Sequence, residues 1–170
     1  MKRLTLMRHA DAQWKNAQIA DFDRPLTRRG NSEAEAMSRR LAELSLVPSL
    51  LVNSSAVRAR QTAEIVAREL GIPPRHVRSE ESLYLAGAPD VLALIQGMGP
   101  RIAHLLVIGH NPGISELTQV LAPARGLPDL TTGAICSLTF DARKWSSVGA
   151  ESLMGLQSET PPMGLFRMWA

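Results

Sequence analysis

The chain has 170 residues, 45% hydrophobic and 4% aromatic, with a formal net charge of +3 and a pI near 9.6; that length suits one sizeable core, so a single domain over 1–170 is expected. The basic balance does not make a nucleic-acid surface, because arginines fall in scattered pairs such as Arg28-Arg29 and Arg39-Arg40 with acids nearby, and few aromatics are available to stack on bases. Cys136 is the lone cysteine and excludes an internal disulfide, no apolar run could span a membrane, and Leu4 to Met7 is too short for a signal peptide, so a reduced, cytoplasmic setting is expected.

Leu4 to Met7 reads as a short buried strand with Arg8-His9 at its C-terminal end. A polar segment, Asp11 to Asp23, follows. Arg24-Pro25-Leu26-Thr27 then leads into a helix capped by Thr27, with Ala34, Met37, Leu41 and Leu44 as its apolar stripe and Pro48 at its exit. Ser49 to Asn53 predicts a second buried strand, ended by Ser54-Ser55. A helix from about Ala59 to Leu70 comes directly after it and stops at Gly71 and Pro73-Pro74. His76 to Ser79 is a weaker strand, and a loop from Glu80 to Ala88 precedes a helix that opens at Pro89-Asp90 and ends between Gly97 and Pro100. Leu105 to Ile108 is the clearest strand, closed by Gly109-His110-Asn111-Pro112. Ile114 to Leu121 then reads as a helix and Ala134 to Phe140 as an alternating strand.

Strands alternating with helices predict an α/β fold, a three-layer α/β/α sandwich with a mostly parallel central sheet. Ligands of such sheets bind beyond the carboxyl ends of the strands. Arg8-His9, Ser54-Ser55 and Gly109-His110 all fall there, so three separate segments converge on one rim.

The residue types on that rim suit phosphoryl chemistry. A phosphoryl group presents three charged oxygens, and a guanidinium fork pairs with them without losing its proton. Arg8 is one candidate; Arg58, near the start of the helix after Ser54-Ser55, is another, while Arg60 points to a different side. A neutral histidine can act as nucleophile, and arginines flanking His9 favour its neutral form. His110 is a candidate donor to an equatorial oxygen, a role suited to the imidazolium. This chemistry calls for no metal or other cofactor, and no clustered ligand set is evident. His76 and His104 read as structural or surface residues.

Four ordered segments resemble the histidine phosphatase superfamily, also called phosphoglycerate mutase-like, and within it the short bacterial phosphohistidine phosphatases. Leu6-Met7-Arg8-His9-Ala10 resembles the opening Arg-His motif, although glycine is common where Ala10 stands. Asp23 to Gly30 is similar to a D-R-P-L-T segment, Ser54 to Glu64 to a second arginine motif, and Val107 to Gly113 to a G-H-N-P-G motif. The likeness runs from about residue 2 to residue 162.

The resemblance implies that His9 becomes transiently phosphorylated, that Arg8, Arg58 and His110 complete the phosphate pocket, and that water then hydrolyses the phosphoenzyme. It also makes Glu81 a candidate proton donor, since larger relatives use a glutamate in a similar place; a phosphohistidine substrate needs such an acid less than an alkyl ester does. Little chain lies between Pro73 and Leu105 to cover the site, so an open pocket is expected, with Trp14 and Arg24 at its mouth unless Trp14 anchors the core. The expected substrate is a phosphorylated protein carrying phosphohistidine in signalling. A small phosphoester, or a noncatalytic phosphate-binding role, is the alternative. The oligomeric state is left open, and the apolar tail Met163 to Ala170 suggests an edge strand or a partner contact.

Overall fold

In a computed structural model of the protein, which describes residues 1–162, two-residue alternation sorts the strand side chains onto two faces of one sheet. Along β1 (Lys2–Arg8), Leu4 and Leu6 enter one core while Met7 enters the other. β4 (His104–Gly109) divides in the same way, Leu105 and Val107 on one side, Leu106 and Ile108 on the other. Both strands are buried on both faces, which explains why each reads as a continuous apolar run.

The remaining strands are β2 (Leu50–Ser54), β3 (Val77–Glu80), β5 (Ile135–Phe140) and β6 (Leu153–Glu159). The sheet order is β3-β2-β4-β1-β5-β6. The first four strands of that order pair in parallel, and β5 runs antiparallel to both β1 and β6. β6 was not anticipated: Gly155 interrupts it and its residues are half-exposed or exposed, as suits an edge strand without a buried stripe. The tail Met163 to Ala170, expected as a possible edge strand, lies outside the described residues.

Helices α1 (Arg28–Glu43) and α2 (Val57–Leu70) cover one face. Met37, Leu41, Ala63 and Val66 pack there on Leu51, Leu106 and Ile108. Helices α3 (Ala88–Gln96) and α4 (Gly113–Leu121) cover the other, with Val91, Ile95, Ile114 and Leu117 against Leu105, Val107 and Leu138. The three expected layers are present. Thr27 caps α1 by accepting from the Gly30 N–H at 3.0 Å, and Gly71 ends α2 in the left-handed region, with φ of 66°.

Two close approaches tie the loops of the rim to these helices. A Cβ on Gly30 would lie 2.0 Å from the Asp11 carbonyl oxygen, and one on Gly113 would lie 2.0 Å from that of Ala86. Only glycine lets α1 rest against the loop after β1, and α4 against the loop before α3.

Among the described residues, no helix is long and apolar enough to cross a membrane.

Candidate active site

The parallel pairing of β1 with β4 sets Arg8 opposite Gly109, and His9 N–H donates to the Gly109 carbonyl at 3.1 Å. His9 and His110 therefore leave adjacent strand ends together, their ring centroids 5.2 Å apart. Ser54 ends the neighbouring β2, and the turn after it starts α2, whose second residue is Arg58. These segments surround a cavity of about 370 Å³ lined by Arg8, His9, Arg58 and His110, which the structure brings together.

His9 is 7% exposed. Its Nδ1 lies 2.8 Å from the Ala10 carbonyl oxygen, an acceptor only, so Nδ1 carries the proton and Nε2 keeps its lone pair. Arg58 Nε–H donates to that Nε2 at 3.3 Å. The Ala10 N–H is itself held by Thr62 Oγ1, and the Thr62 hydroxyl donates to the Arg58 carbonyl at 2.8 Å, so α2 fixes the nucleophile's loop and the arginine at once. Burial drives the His9 imidazole down to about 3, with His110, Arg58 and Arg8 adding to the effect and the Ala10 carbonyl opposing it. His9 is neutral at neutral pH.

His110 is also neutral, contrary to the imidazolium expected from its donor role. Burial pushes it down to about 4, and Arg58 adds to this. Its Nε2 is 2.7 Å from Ser54 Oγ, while its Nδ1 is buried without a partner.

Arg8 donates Nη1–H to the Leu130 carbonyl at 3.1 Å, leaving a buried Nε without a partner. Behind it lies Glu33, whose carboxylate accepts the Asp11 N–H at 2.9 Å and the Thr132 hydroxyl at 3.1 Å. Burial raises the Glu33 carboxyl, opposed by these hydrogen bonds and Arg29.

Asp21 lies within the polar segment Asp11 to Asp23, where nothing in the sequence distinguishes it. Its carboxylate takes Arg24 at 2.9 Å, Arg58 at 3.3 Å and the Tyr84 hydroxyl, and its carbonyl accepts Arg58 Nη1–H at 2.7 Å. Burial works against its charge, but Tyr84, Arg58 and Arg24 outweigh it and hold the carboxyl down at about 2. Asp21 and Tyr84 offer no sequence-level signal, because their meeting is a long-range contact.

The cavity does not include Glu81, which sits exposed in the 3-10 turn Glu81–Leu83. That turn hands over to Tyr84 and Leu85, and Leu85 is the residue of this stretch that lines the cavity. Glu81, the expected proton donor, is therefore exposed and is not among the residues that line the cavity. Trp14 and Arg24 both line the cavity, and Trp14 is 89% exposed, so it is a rim residue and not a core anchor. Lys15 joins them, so four cations face the carboxylates of Asp11 and Asp21, an arrangement suited to an anionic ligand.

Residues 4–81 match the sequence profile of the histidine phosphatase superfamily (branch 1). The phosphohistidine phosphatase SixA of Escherichia coli is 33% identical over 137 residues, covering 80% of this chain and 84% of its own. A chloroplastic protein of Arabidopsis thaliana is 30% identical over 131 residues, 72% of this chain, which spans 60% of that longer relative. A structure of the protein histidine phosphatase SixA complexed with tungstate superposes with a TM-score of 0.76 at 30% identity, covering 92% of this chain and 96% of the other. With the sheet, the strand-end histidines and these likenesses in agreement, the chain belongs to the histidine phosphatase superfamily, in its SixA-like branch, and is a phosphatase.

Proposed function

We propose that the protein hydrolyses phosphohistidine on another protein through a phosphorylated His9, without a metal ion, and that residues 1–170 act as one domain. The observation that carries this reading is the state of the carboxylates near the nucleophile. Asp21 is held ionised by Tyr84 and two arginines, Asp11 lines the cavity with its carboxylate accepting the Thr27 hydroxyl at 2.6 Å, and Glu81 lies outside the cavity. An alkoxide leaving group needs an acid at the breaking bond. A phosphoimidazole does not: protonated from solvent on its far ring nitrogen, it departs as neutral imidazole.

Arg8 and Arg58 take the equatorial oxygens and His110 donates to a third position, the Arg58 Nε–H passing from His9 Nε2 to a phosphoryl oxygen as the substrate enters and so freeing the attacking lone pair. His9 Nε2 then attacks phosphorus, the bond from phosphorus to the substrate nitrogen breaks, and its electron pair stays with the departing imidazole. Because the Ala10 carbonyl keeps a proton on His9 Nδ1, the phosphoenzyme is already a phosphoimidazolium. Water attacks phosphorus and gives up a proton to the released phosphate or to solvent, and neutral His9 is regenerated without any proton transfer at the ring. The name of the Escherichia coli relative and the tungstate in the SixA structure, a tetrahedral oxyanion, support the substrate class.

The test is a substrate panel without added metal: a phosphohistidine protein, free phosphohistidine and several alkyl phosphates, with rapid quenching to trap acid-labile label on His9. The expected result is turnover of phosphohistidine, slow turnover of alkyl phosphates, and loss of both label and turnover in His9→Ala. Turnover surviving His9→Ala, or alkyl phosphates cleaved as fast as phosphohistidine, would overturn the reading. Anion binding with no label at all would leave a noncatalytic phosphate-binding module.

A further inference from the structure

We infer that Ser54 sets the tautomer of His110, donating its hydroxyl proton to Nε2 so that the neutral ring carries its own proton on Nδ1, toward the phosphoryl group. The inference rests on the reading of the cavity as a phosphoryl site.

Hydrogen counting around Ser54 leads to this assignment. The Ser54 side chain is fully buried at the end of β2. Its Oγ has two neighbours among the described residues: His110 Nε2 at 2.7 Å and the Ala56 N–H at 3.3 Å. The Ala56 N–H can only donate, so it occupies one lone pair of Oγ. If His110 Nε2 also donated, Oγ would accept twice and its own hydrogen would be stranded in a dry interior. With Nε2 as the acceptor, the Ser54 hydrogen is satisfied and Nδ1–H is the single polar group of the pair left without a protein partner, against two, the Ser54 hydrogen and the Nδ1 lone pair, in the other tautomer.

The other ring nitrogen then decides what His110 does. Nδ1 is buried, lacks a protein partner and belongs to a ring that lines the cavity. As a bare lone pair it would repel an anion; as N–H it is a donor waiting for one. The groups facing this ring are His9, Arg58, Tyr84, Asp21, Arg24 and Arg8. Asp21, the carboxylate among them, favours a second ring proton, but it is already committed to two arginines and Tyr84, and burial together with the arginines outweighs it. The lowered pKa of His110 agrees with a neutral ring. A neutral donor also spares His9 an adjacent cation, which would draw electron density from the attacking nitrogen. Ser54 is accordingly a positioning residue, acting through His110 on the phosphoryl group.

The experiment is ¹⁵N NMR of histidine-labelled full chain at pH 7, titrated with inorganic phosphate, for the wild type, Ser54→Ala and Ser54→Thr. In the wild type, His110 is expected to show a protonated Nδ1 and an unprotonated Nε2. Ser54→Ala is expected to lose that preference and about tenfold in kcat/KM. Ser54→Thr, which keeps the hydroxyl, is expected to retain the tautomer and recover most of the rate. A His110 protonated on Nε2 in the wild type, or a tautomer unchanged in a folded Ser54→Ala, would overturn the inference. If the tautomer is as assigned but phosphate leaves the His110 resonances unmoved, the assignment of Ser54 stands and the reading of the cavity fails.

Discussion

Trp14→Ala separates a protein substrate from a small one. The indole is 89% exposed on the cavity rim, beside Lys15 and near Leu85, itself 62% exposed, so its removal costs the fold little, about 0.5 kcal/mol or less. An aromatic side chain buries roughly 150–250 Å² when fully covered, worth about 4–6 kcal/mol at ~25 cal/mol per Å². A docked protein surface covering half of it would gain about 2 kcal/mol, or roughly 30-fold in kcat/KM. Free phosphohistidine reaches His9 without that contact. The assay compares kcat/KM for a phosphohistidine protein and for free phosphohistidine in wild type and variant. A roughly 30-fold loss confined to the protein substrate is expected. Equal losses on both substrates would show that Trp14 shapes the pocket itself, and no loss on either would remove the rim from protein recognition; either result refutes the reasoning.

A series of aryl phosphates should be hydrolysed faster as the leaving phenol becomes more acidic, because Asp21 is held ionised and Glu81 does not line the cavity; steady-state rates that ignore phenol acidity would contradict this. His104 offers a test of stability against pH. It lies buried within the sheet, 2.8 Å from Thr5 Oγ1, and burial lowers it to about 4, Arg3 contributing. Its folded pKa lies below the unfolded value near 6.5, so below pH 6.5 the unfolded chain takes up a proton that the folded chain refuses. Stability is full above that pH and falls until about pH 4. Between pH 7 and pH 5 this amounts to about 2 kcal/mol, which urea titrations at the two pH values should show as a shallower loss in His104→Gln than in wild type. Gly30→Ala forces a methyl group onto the Asp11 carbonyl and should cost about 1–3 kcal/mol in denaturant titrations, with activity falling further than stability because the displaced loop begins at His9.

The elements that sequence reading located best are those whose signals are local. Thr27 as cap, Gly71 as stop and the doubly buried runs of β1 and β4 all declare themselves within a few residues. The convergence of Arg8, His9, Arg58 and His110 was also legible, because strand ends in a parallel sheet share one edge whatever the details of the loops. Glu81 shows where that logic stops. Its place in sequence fits an acid, but the 3-10 turn that follows β3 leads to Tyr84, whose hydroxyl meets Asp21, and to Leu85 on the cavity wall, and leaves Glu81 in solvent. Asp21 and β6 were illegible for related reasons. One is defined by contacts from Arg24, Arg58 and Tyr84, which span 63 positions of chain, and the other is an edge strand with no buried stripe to give it away.

The Tyr84 contact has a chemical consequence for selectivity. Burial works to raise Asp21, but Tyr84 and the two arginines hold its carboxyl down, and its carbonyl and carboxylate both accept from Arg58. Held ionised, Asp21 is no acid for a leaving group, which on the proposed reading favours leaving atoms that need none. On that same reading, discrimination rests on the leaving group and on the protein surface that meets Trp14 at the cavity rim.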